Sequence, residues 1–203
     1  MKSFIIHELT KEKESLEYHL QKNIHLTLVL ILSRAVDADI FVSVRLIGQG
    51  SSANVIGLVK GQGRHRISIH TEQIHEAPET TSNLLFKAAL FDESMFFYHG
   101  VIRIEKHAQK SNAYQRNENL LLSPTATARS EPALEILAND VRCTHGATIG
   151  KLSEDQLWYL SGRGLSPDRA SRMLVEGFYE SALGNISDTM QKESVRKILW
   201  TTT

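Results

Sequence analysis

Residues 40–50 read IFVSVRLIGQG, and this stretch decides the fold prediction. Val42, Val44 and Leu46 alternate with other residues, so an extended strand places all three side chains on one face. The glycines on either side of Gln49 then mark a turn. The stretch therefore predicts a short β-strand with one apolar face, ended by a glycine turn.

Strands of this kind recur along the chain up to about Gly150. Little helical periodicity separates them, and turn residues punctuate them, Gly100 and Asn117 among them. Such a pattern predicts a sandwich, a barrel or a β-solenoid, and by itself it does not separate the three. The apolar runs cover residues 4–6, 24–32, 40–46, 55–59, 67–69, 84–90, 95–98, 101–104, 120–122, 134–137 and 141–143.

The pattern changes to helix after Gly150. Ser153 has Gln156 three residues further on, which is the spacing of a capping box. Ser166-Pro167-Asp168 begins a second helix, because proline favours the first helical position. Ser187-Asp188 opens a third helical segment.

Two of these helices carry apolar stripes, which predict the faces that pack. The sequence thus divides into a β body over residues 1–150 and a C-terminal helical subdomain over residues 151–203. The predicted stripe residues are Ala170, Met173, Leu174, Gly177 and Phe178 in the second helix, and Met190, Val195, Ile198 and Leu199 in the third.

The composition excludes some classes of function. The 203 residues hold 23 Lys plus Arg and 23 Asp plus Glu, so the formal net charge is zero. A nucleic-acid binder needs a basic excess to displace counterions, so we expect no nucleic-acid partner. The single cysteine, Cys143, indicates a reducing compartment, because one cysteine cannot form an intramolecular disulfide.

The sequence also predicts a cytoplasmic protein with no membrane partner. The first ten residues lack the long apolar region and the cleavage site of a signal peptide. The strongest apolar run, residues 26–32, is too short to cross a membrane.

His65, His70 and His75 raise the question of a metal site. A metal-binding strand usually carries a His-x-His pair, so that both imidazoles point the same way. The spacing of five residues here places successive histidines on opposite faces of an extended strand. We therefore interpret them as structural histidines with hydrogen-bond partners.

Cys143-Thr144-His145 is the most informative triplet for chemistry. Residues two apart in a strand point to the same face, so the thiol and the imidazole would lie side by side. Together they could bind zinc, iron or an iron–sulfur cluster. Two ligands do not complete a four-coordinate site, so the others would come from a second chain or from bound sulfide. The alternative is a buried cysteine beside a surface histidine.

Several segments resemble the SufB/SufD family of iron–sulfur cluster assembly proteins, in the order that the family has them. The run 132–150, PALEILANDVRCTHGATIG, looks like the family's most recognisable signature. Residues 108–115, AQKSNAYQ, and residues 157–160, LWYL, resemble two further family stretches. The similarity extends over roughly residues 40–182.

The resemblance implies a right-handed parallel β-helix followed by a small helical subdomain. It also implies a complex in which a SufC-like ATPase docks on the helical subdomain and a SufB-like chain pairs through the β-helix. A transient, nascent iron–sulfur cluster would be held at that junction. Leu174 and Phe178, on the stripe of the second helix, are the residues that we expect at the ATPase interface.

Within the family, the chain looks like the SufD type. That type carries a Cys-x-His-Gly-Ala-Thr signature, which matches residues 143–148. The SufB type has glutamate in place of Gly146 and a cysteine near the position of Asn117. The resemblance therefore implies that His145, and with it Cys143, holds the cluster or its metal. It also implies that Asn117 lies at the junction where a SufB-like partner supplies a cysteine.

The resemblance covers only the carboxy-terminal half of a SufD protein. The family's amino-terminal helical region and several β-helix turns have no counterpart here, which predicts a fragment, a split gene product or a reduced member. A solenoid needs its ends covered. We expect segment 2–22 to be the cap, with the Lys- and Glu-rich positions 11–17 in an exposed turn.

The leading hypothesis is a non-enzymatic scaffold for iron–sulfur cluster assembly, with pairing of two copies as an alternative to a SufB-like partner. A degenerate relative that only docks partners and binds no metal is a second hypothesis. A β-helix enzyme acting on polysaccharide is a third, and it would need paired carboxylates on neighbouring coils. The acidic residues here sit near predicted turns instead. No phosphate loop is present, so ATP hydrolysis by that route is not expected.

Overall fold

The structure, a computed structural model, describes residues 1–201 of the chain. Residues 202 and 203, which the sequence-based division includes in the helical subdomain, lie outside the described residues. The described residues form eleven strands followed by three helices. These elements are β1 (Lys2–Glu8), β2 (Lys13–Leu20), β3 (His25–Leu32), β4 (Ala38–Leu46), β5 (Ser52–Gly61), β6 (Arg66–His75), β7 (Thr81–Leu90), β8 (Met95–Ile104), β9 (Asn112–Leu121), β10 (Thr127–Ile136), β11 (Arg142–Lys151), α1 (Glu154–Gly162), α2 (Pro167–Leu183) and α3 (Thr189–Thr201).

The strands form two parallel sheets. The six-stranded sheet has the order β1-β3-β5-β7-β9-β11, and the five-stranded sheet has the order β10-β8-β6-β4-β2. Each strand pairs in parallel with the strand two positions along the chain. The chain therefore winds as a solenoid in which each coil adds one strand to each sheet. The predicted parallel β-helix is confirmed, and the sandwich and the barrel are excluded.

The register stacks equivalent side chains in rows along the solenoid. Leu28 on β3, Val55 on β5 and Leu84 on β7 are successive partners, and all three are buried in the core. Full burial of such a side chain contributes roughly 1.5–3 kcal/mol. Rows of this kind hold one coil on the next.

The helices cover the outer face of the six-stranded sheet. Ile31 on β3 and Ile56 on β5 point outward and share a buried cluster with α2 and α3. The hydroxyl of Tyr179 on α2 donates to the carbonyl of Val59 at 2.6 Å and accepts from the amide of Ala89 at 3.3 Å. Because both faces of β3 and β5 are buried, their sequences are nearly continuous apolar runs.

The predicted helix starts are confirmed. The hydroxyl oxygen of Ser153 accepts from the amide of Gln156, and that of Ser166 accepts from the amide of Arg169. These side chains satisfy amides that the first helical turn leaves unpaired. Gly164, with φ at 89°, follows α1 in the left-handed region that favours glycine.

Segment 2–22 is not a cap with a charged turn, so that prediction is wrong. It forms the first coil, made of β1 and β2. Leu16 and Tyr18 pack against the core, and Glu17 between them is exposed. Charged and apolar residues therefore alternate along β2 as in any half-buried strand, and the density of Lys and Glu obscured the alternation.

Gly100 and Asn117 lie inside strands β8 and β9, so their prediction as turn residues is wrong. The predicted strands 95–98 and 101–104 are accordingly one strand. A Cβ atom on Gly100 would lie 2.4 Å from Nε2 of Gln115 and 2.5 Å from the hydroxyl of Tyr98. Glycine is required there because these two side chains fill the space on its inward side.

The buried faces of the helices agree with the predicted stripes in part, and Ala170 on α2 and Leu199 on α3 are buried as predicted. Val175 and Tyr179 are buried on α2, whereas Met173 is 49% exposed. On α3, Val195 is buried as predicted, but Met190 is 80% exposed. Contact with the six-stranded sheet selects one of the overlapping apolar faces that each helix offers. No helix within residues 1–201 is long and apolar enough to cross a membrane.

Candidate functional site

The last coil of the solenoid ends in two uncovered strands. β10 and β11 are the terminal strands of the two sheets, so within residues 1–201 one edge of each has no neighbouring strand. Their inward side chains are not covered by a further coil. Unpaired edges of this kind are templates for strand pairing with another chain. We call this surface the open end.

Cys143 and His145 lie on the inward side of this last coil. The register of β11 on β9 aligns Cys143 with Ala113 and His145 with Gln115. Ala113 and Gln115 are buried in the solenoid. Stacked residues of a parallel pair point the same way, so Cys143 and His145 project from the same face at the open end, as their spacing predicts.

The surroundings of the two side chains differ. Cys143 is half-buried and packs against a cluster that includes Ile102, Ile104 and Ala138. His145 is exposed. Burial raises the pKa of the Cys143 thiol to about 11, so the thiol is protonated at neutral pH in the isolated chain. Since a cysteine binds metal as the thiolate, ligation at this site would have to displace that proton.

An apolar patch lies beside the Cys–His pair. Leu134, Ile136 and Ile149 are 37%, 41% and 49% exposed. Leu134 aligns with buried Ile102, and Ile136 with buried Ile104, so both continue rows of the core. The open end therefore presents the kind of surface that a further coil or another protein would cover.

Asn117 does not reach the surface. It is fully buried one strand before the open end, where it aligns with Ala147. Its Nδ2 donates to the carbonyl of Phe86 at 3.4 Å, and its Oδ1 accepts from Nδ2 of Asn119 at 2.6 Å. A partner at the open end would thus be separated from Asn117 by β11, and its place at the junction stays a prediction.

The sequence analysis missed a group of polar side chains inside the last coils. The hydroxyls of Thr71 and Tyr98 are 2.8 Å apart, and Nε2 of Gln73 donates to Oε1 of Gln115 at 3.3 Å. Oε1 of Gln73 and Oδ1 of Asn119 are buried without a hydrogen-bond partner among the described residues. The alternation of polar residues along β9 is the sequence pattern that could have predicted this buried polar group. Buried water would satisfy these atoms, so the interior becomes polar toward the open end.

Residues 1–201 do not close a metal site by themselves. Within residues 1–201, no group of three or more His, Cys, Asp or Glu side chains could hold a metal ion. The open end offers one sulfur and one nitrogen ligand, whereas iron–sulfur clusters and tetrahedral sites take four. The remaining ligands would have to come from another chain or from bound sulfide.

The structural interpretation of the histidines is confirmed most clearly at His75. Its Nδ1 lies 2.7 Å from the hydroxyl of Thr80, and its Nε2 lies 2.8 Å from the hydroxyl of Ser82. Burial lowers the pKa of His75 to about 4, which keeps the imidazole neutral at neutral pH. His70 points outward on β6, 2.9 Å from the hydroxyl of Ser68.

Acidic residues near the turns form contacts between coils. Glu76 pairs with Arg45 at 2.5 Å, and Glu93 pairs with Arg64 at 3.1 Å. Each pair joins one coil to a neighbouring coil of the solenoid. These carboxylates are engaged with arginines and not with one another, unlike the acid pair that glycoside hydrolysis needs.

A second candidate surface lies on the helices. α1 buries no residue, and Trp158 and Tyr159 on it are 80% and 55% exposed. Between α1 and α2 lies a groove of about 330 Å³, which includes Leu174. The groove is lined by Asp155, Gln156, Tyr159, Leu160, Met173 and Leu174. We call it the α1–α2 groove.

Phe178 belongs to a different environment from Leu174. Its ring lies 4.3 Å from Nζ of Lys87, and it packs against the cluster between the helices and the six-stranded sheet. Of the two residues predicted at the ATPase interface, the structure therefore places Leu174 in an open groove and Phe178 partly beneath its own helix. Their contact with a partner stays a prediction.

The fold and the open end define a solenoid protein with a Cys–His pair at one uncovered end and a helical tail folded over one sheet. Residues 14–178 match the family model described as SUF system FeS cluster assembly, SufBD core domain. The chain belongs to the SufB/SufD family, which confirms the resemblance read from its motifs. The match begins at residue 14, well before the similarity recognised from sequence.

Individual relatives agree with the family. The chain is 29% identical over 153 residues to the iron-sulfur cluster assembly protein SufD of Escherichia coli, covering 75% of this chain and 36% of the relative. It is 30% identical over 154 residues to SufD of Bacillus subtilis, covering 76% and 34%. It is 38% identical over 113 residues to the chloroplastic protein ABCI7 of Arabidopsis thaliana, covering 55% and 24%. The chain thus spans at most 36% of the length of these relatives.

Proposed function

We propose that this chain is a scaffold subunit of SUF-type iron–sulfur cluster assembly, without enzymatic activity of its own. In this proposal the open end pairs with a SufB-like chain, and the α1–α2 groove docks a SufC-like ATPase. The observation that carries the proposal is the open end itself. Two unpaired strand edges, an apolar patch and the pair Cys143 and His145 share that one surface.

Pairing at the open end is favoured by what the isolated chain leaves exposed. The edges of β10 and β11 have backbone N–H and C=O groups without strand partners. A second β-helix placed against them would extend both sheets and cover Leu134, Ile136 and Ile149. Each of these side chains, once buried, would contribute roughly 1.5–3 kcal/mol. The patch and the edges therefore favour the same kind of partner, another solenoid.

The nascent cluster is cargo in this proposal and not a resident cofactor. His145 is the first candidate ligand, because its exposed imidazole needs no change of packing to meet a cluster. Cys143 is the second, because its thiol is half-buried and protonated. Imidazole and thiolate both bind iron, and the partner chain would supply the remaining ligands.

The test is cluster assembly by the chain purified anaerobically with SufB-like and SufC-like partners. We expect His145→Ala to lower the bound iron and sulfide about tenfold or more, and Cys143→Ala to lower them less. Thr144→Ala is the matched control, because Thr144 lies on the same strand with its side chain on the opposite face. All three variants should still pair with the SufB-like chain.

Wild-type cluster content in both His145→Ala and Cys143→Ala would contradict the ligand assignment. The chain would then be the docking-only relative that binds no metal.

Self-pairing is the alternative arrangement at the open end. A two-fold axis there would bring together two Cys143 and two His145 side chains, which makes four ligands. Sedimentation of the chain alone, and then with a SufB-like chain, separates the two arrangements. Leu134→Asp should weaken either association, and Met190→Asp, at an exposed position of α3, should weaken neither.

Docking of the ATPase is supported by the α1–α2 groove. Trp158 and Met173 are exposed apolar side chains at or beside it, and α1 buries none of its residues. Aromatic and methionine side chains are enriched at protein interfaces. A partner that covered the groove would bury these side chains and Leu174 together.

Point variants test the docking better than removal of the helices, since α2 and α3 also cover the six-stranded sheet. We expect Leu174→Asp to reduce co-purification of the SufC-like ATPase at least tenfold while the thermal midpoint stays unchanged. Met190→Asp is the control, and Phe178→Ala should lower stability as well as docking. Undiminished co-purification with Leu174→Asp would exclude the groove as the docking surface.

A further inference from the structure

A third surface feature takes no part in the proposed function. A cavity of about 740 Å³ lies where the six-stranded sheet meets α2 and α3. Its walls combine polar and charged residues with apolar ones, and the apolar ones include Phe91, Leu122 and Trp200. Lys60 and Arg172 are its basic residues. Its volume falls within the range of small-molecule binding sites.

Lys60 is the unusual residue in this cavity. It lies on the outward side of β5, beside Ala89 of β7, and is only 8% exposed. Among the described residues, it has no hydrogen-bond or ion-pair partner, and its Nζ lies 6.0 Å from the centroid of the Phe91 ring. Burial lowers the pKa of Lys60 below its ordinary value. The stem of Lys60 is buried, whereas its Nζ is accessible and has no counter-charge within the described residues, so it can meet a ligand in the cavity.

Lys87, the other buried lysine of the described solenoid, has the counter-charge that Lys60 lacks. Lys87 is 4% exposed, and its Nζ lies 2.5 Å from a carboxylate oxygen of Glu118. The same Nζ donates to the hydroxyl of Ser181 at 2.6 Å. Lys87 is therefore neutralised from within the chain, whereas Lys60 is not.

The carboxylates near the cavity do not supply the missing charge. Asp168 and Glu176 line it from α2, but both residues are exposed, and neither forms an ion pair with Lys60 in the described part of the chain. They lie instead at the solvent side, with Arg172 between them along the helix. The sheet side of the cavity thus contributes the cation Lys60, and the α2 side has mixed charge.

We propose that this cavity binds a small organic carboxylate with an apolar body. The carboxylate would pair with Nζ of Lys60, and the body would pack against Phe91, Leu122 and Trp200. A single negative charge matches the one ammonium of Lys60, and Asp168 and Glu176 disfavour a more highly charged anion such as a phosphate monoester. This site is independent of the open end and of the α1–α2 groove.

Trp200 provides the signal for a direct test. The chain has two tryptophans, so Trp158→Phe leaves Trp200 as the single emitter. In that background the probes are hexanoate and its neutral amide, hexanamide, titrated at constant ionic strength. We expect hexanoate to change Trp200 emission saturably, and hexanamide to bind about tenfold or more weakly, because it lacks the charge.

Lys60→Met is the informative variant, since methionine keeps much of the side-chain length without the charge. We expect it to weaken hexanoate at least tenfold and to bring its affinity to that of hexanamide. Lys13→Met, at an exposed position of β2, is the matched control and should bind hexanoate like the parent.

Three results would overturn the proposal. They are hexanamide binding as tightly as hexanoate, unchanged hexanoate binding by Lys60→Met, and no saturable response to hexanoate in folded parent protein. If Lys60 instead pairs with an acidic segment of another protein, hexanoate would also give no saturable response. That result therefore counts against a small-molecule site. The comparison of hexanoate with hexanamide needs no substitution at Lys60 and holds whether or not that variant folds.

Discussion

At the scale of the residue, burial shifts the pKa of several side chains, but the consequence depends on their partners. Burial lowers the pKa of His75 to about 4 and raises that of Cys143 to about 11. His75 meets two hydroxyls of its own chain and is thereby a structural residue. Cys143 meets an apolar cluster at an uncovered end. Lys60 has no hydrogen-bond or ion-pair partner among the described residues and lies near the ring of Phe91. Cys143 and Lys60 are therefore the candidates for function. His75 is not, because both of its ring nitrogens have hydrogen-bond partners.

His75 predicts a loss of stability on acidification. Its pKa is about 4 in the folded chain and near 6.5 when exposed. Between these values the unfolded chain binds the extra proton, so the free energy of unfolding falls as the pH falls. The full loss is roughly 3 kcal/mol. Urea unfolding at several pH values down to about 5 should show a shallower fall for His75→Asn than for the parent. Equal slopes would contradict the assignment.

Gly100→Ala is expected to destabilise the β-helix by roughly 1–3 kcal/mol. The added methyl group would collide with Gln115 and Tyr98, both of which are held by hydrogen bonds inside the solenoid. Gly150→Ala is the matched control, because a Cβ atom at this strand position has no neighbour within 4 Å. Equilibrium unfolding in denaturant measures both, and similar midpoints for the two variants would disprove the steric account.

At the scale of the element, each strand has a role set by what covers its two faces. β3 and β5 are buried on both faces, by the core and by the helices. β9 has polar residues on its inward face, and β11 has its inward face uncovered. The candidate ligands Cys143 and His145 therefore lie on the strand whose inward face is uncovered. α2 packs its buried face on the six-stranded sheet, whereas α1 buries no residue and presents an exposed surface.

Tyr179→Phe tests how α2 is attached to the six-stranded sheet. The change removes the hydroxyl that donates to Val59 and accepts from Ala89, and it leaves the ring in place. We expect a loss of about 1–3 kcal/mol, because the buried carbonyl of Val59 is left without this donor. Tyr159→Phe is the control, since Tyr159 is 55% exposed on α1. Thermal or denaturant unfolding that does not distinguish the two variants would contradict the prediction.

At the scale of the whole molecule, the solenoid and its helical tail depend on each other. α2 and α3 cover the outward side chains of the six-stranded sheet, so the tail is also part of the hydrophobic core. The open end at β10 and β11 has no covering strand within residues 1–201, and none of the residues that line the α1–α2 groove belongs to that shared cluster. The described chain thus presents two separate surfaces connected by a stack of parallel coils.

Truncation after Lys151 is expected to leave an aggregating β body. It would expose Val29, Ile31, Ile56 and Leu58 together on one face of the sheet. An apolar patch of this size promotes self-association. Size-exclusion chromatography and binding of an apolar dye should show this. The full chain with Met190→Asp serves as the comparison, because it changes α3 without uncovering the sheet. A monomeric, dye-free truncated protein would show that the helices are an independent unit.

The sequence by itself determined a β body followed by helices, the helix starts at Ser153 and Ser166, and the shared face of Cys143 and His145. These follow from local rules, because strand alternation, capping and residue spacing act over a few neighbouring residues. The family assignment also followed from contiguous motifs, of which the run 132–150 is the clearest.

Only the tertiary structure decided the rest, because each remaining point depends on residues about 30 or more positions apart. Asn117 looked like a turn residue and is buried, since the neighbouring coils choose which polar residues face inward. The first coil, the buried face of α2 and the partnerless Lys60 likewise depend on packing between distant segments. A solenoid repeats its local pattern, so the local sequence predicts the repeat, but the stacking of coils decides which side chains remain without a partner.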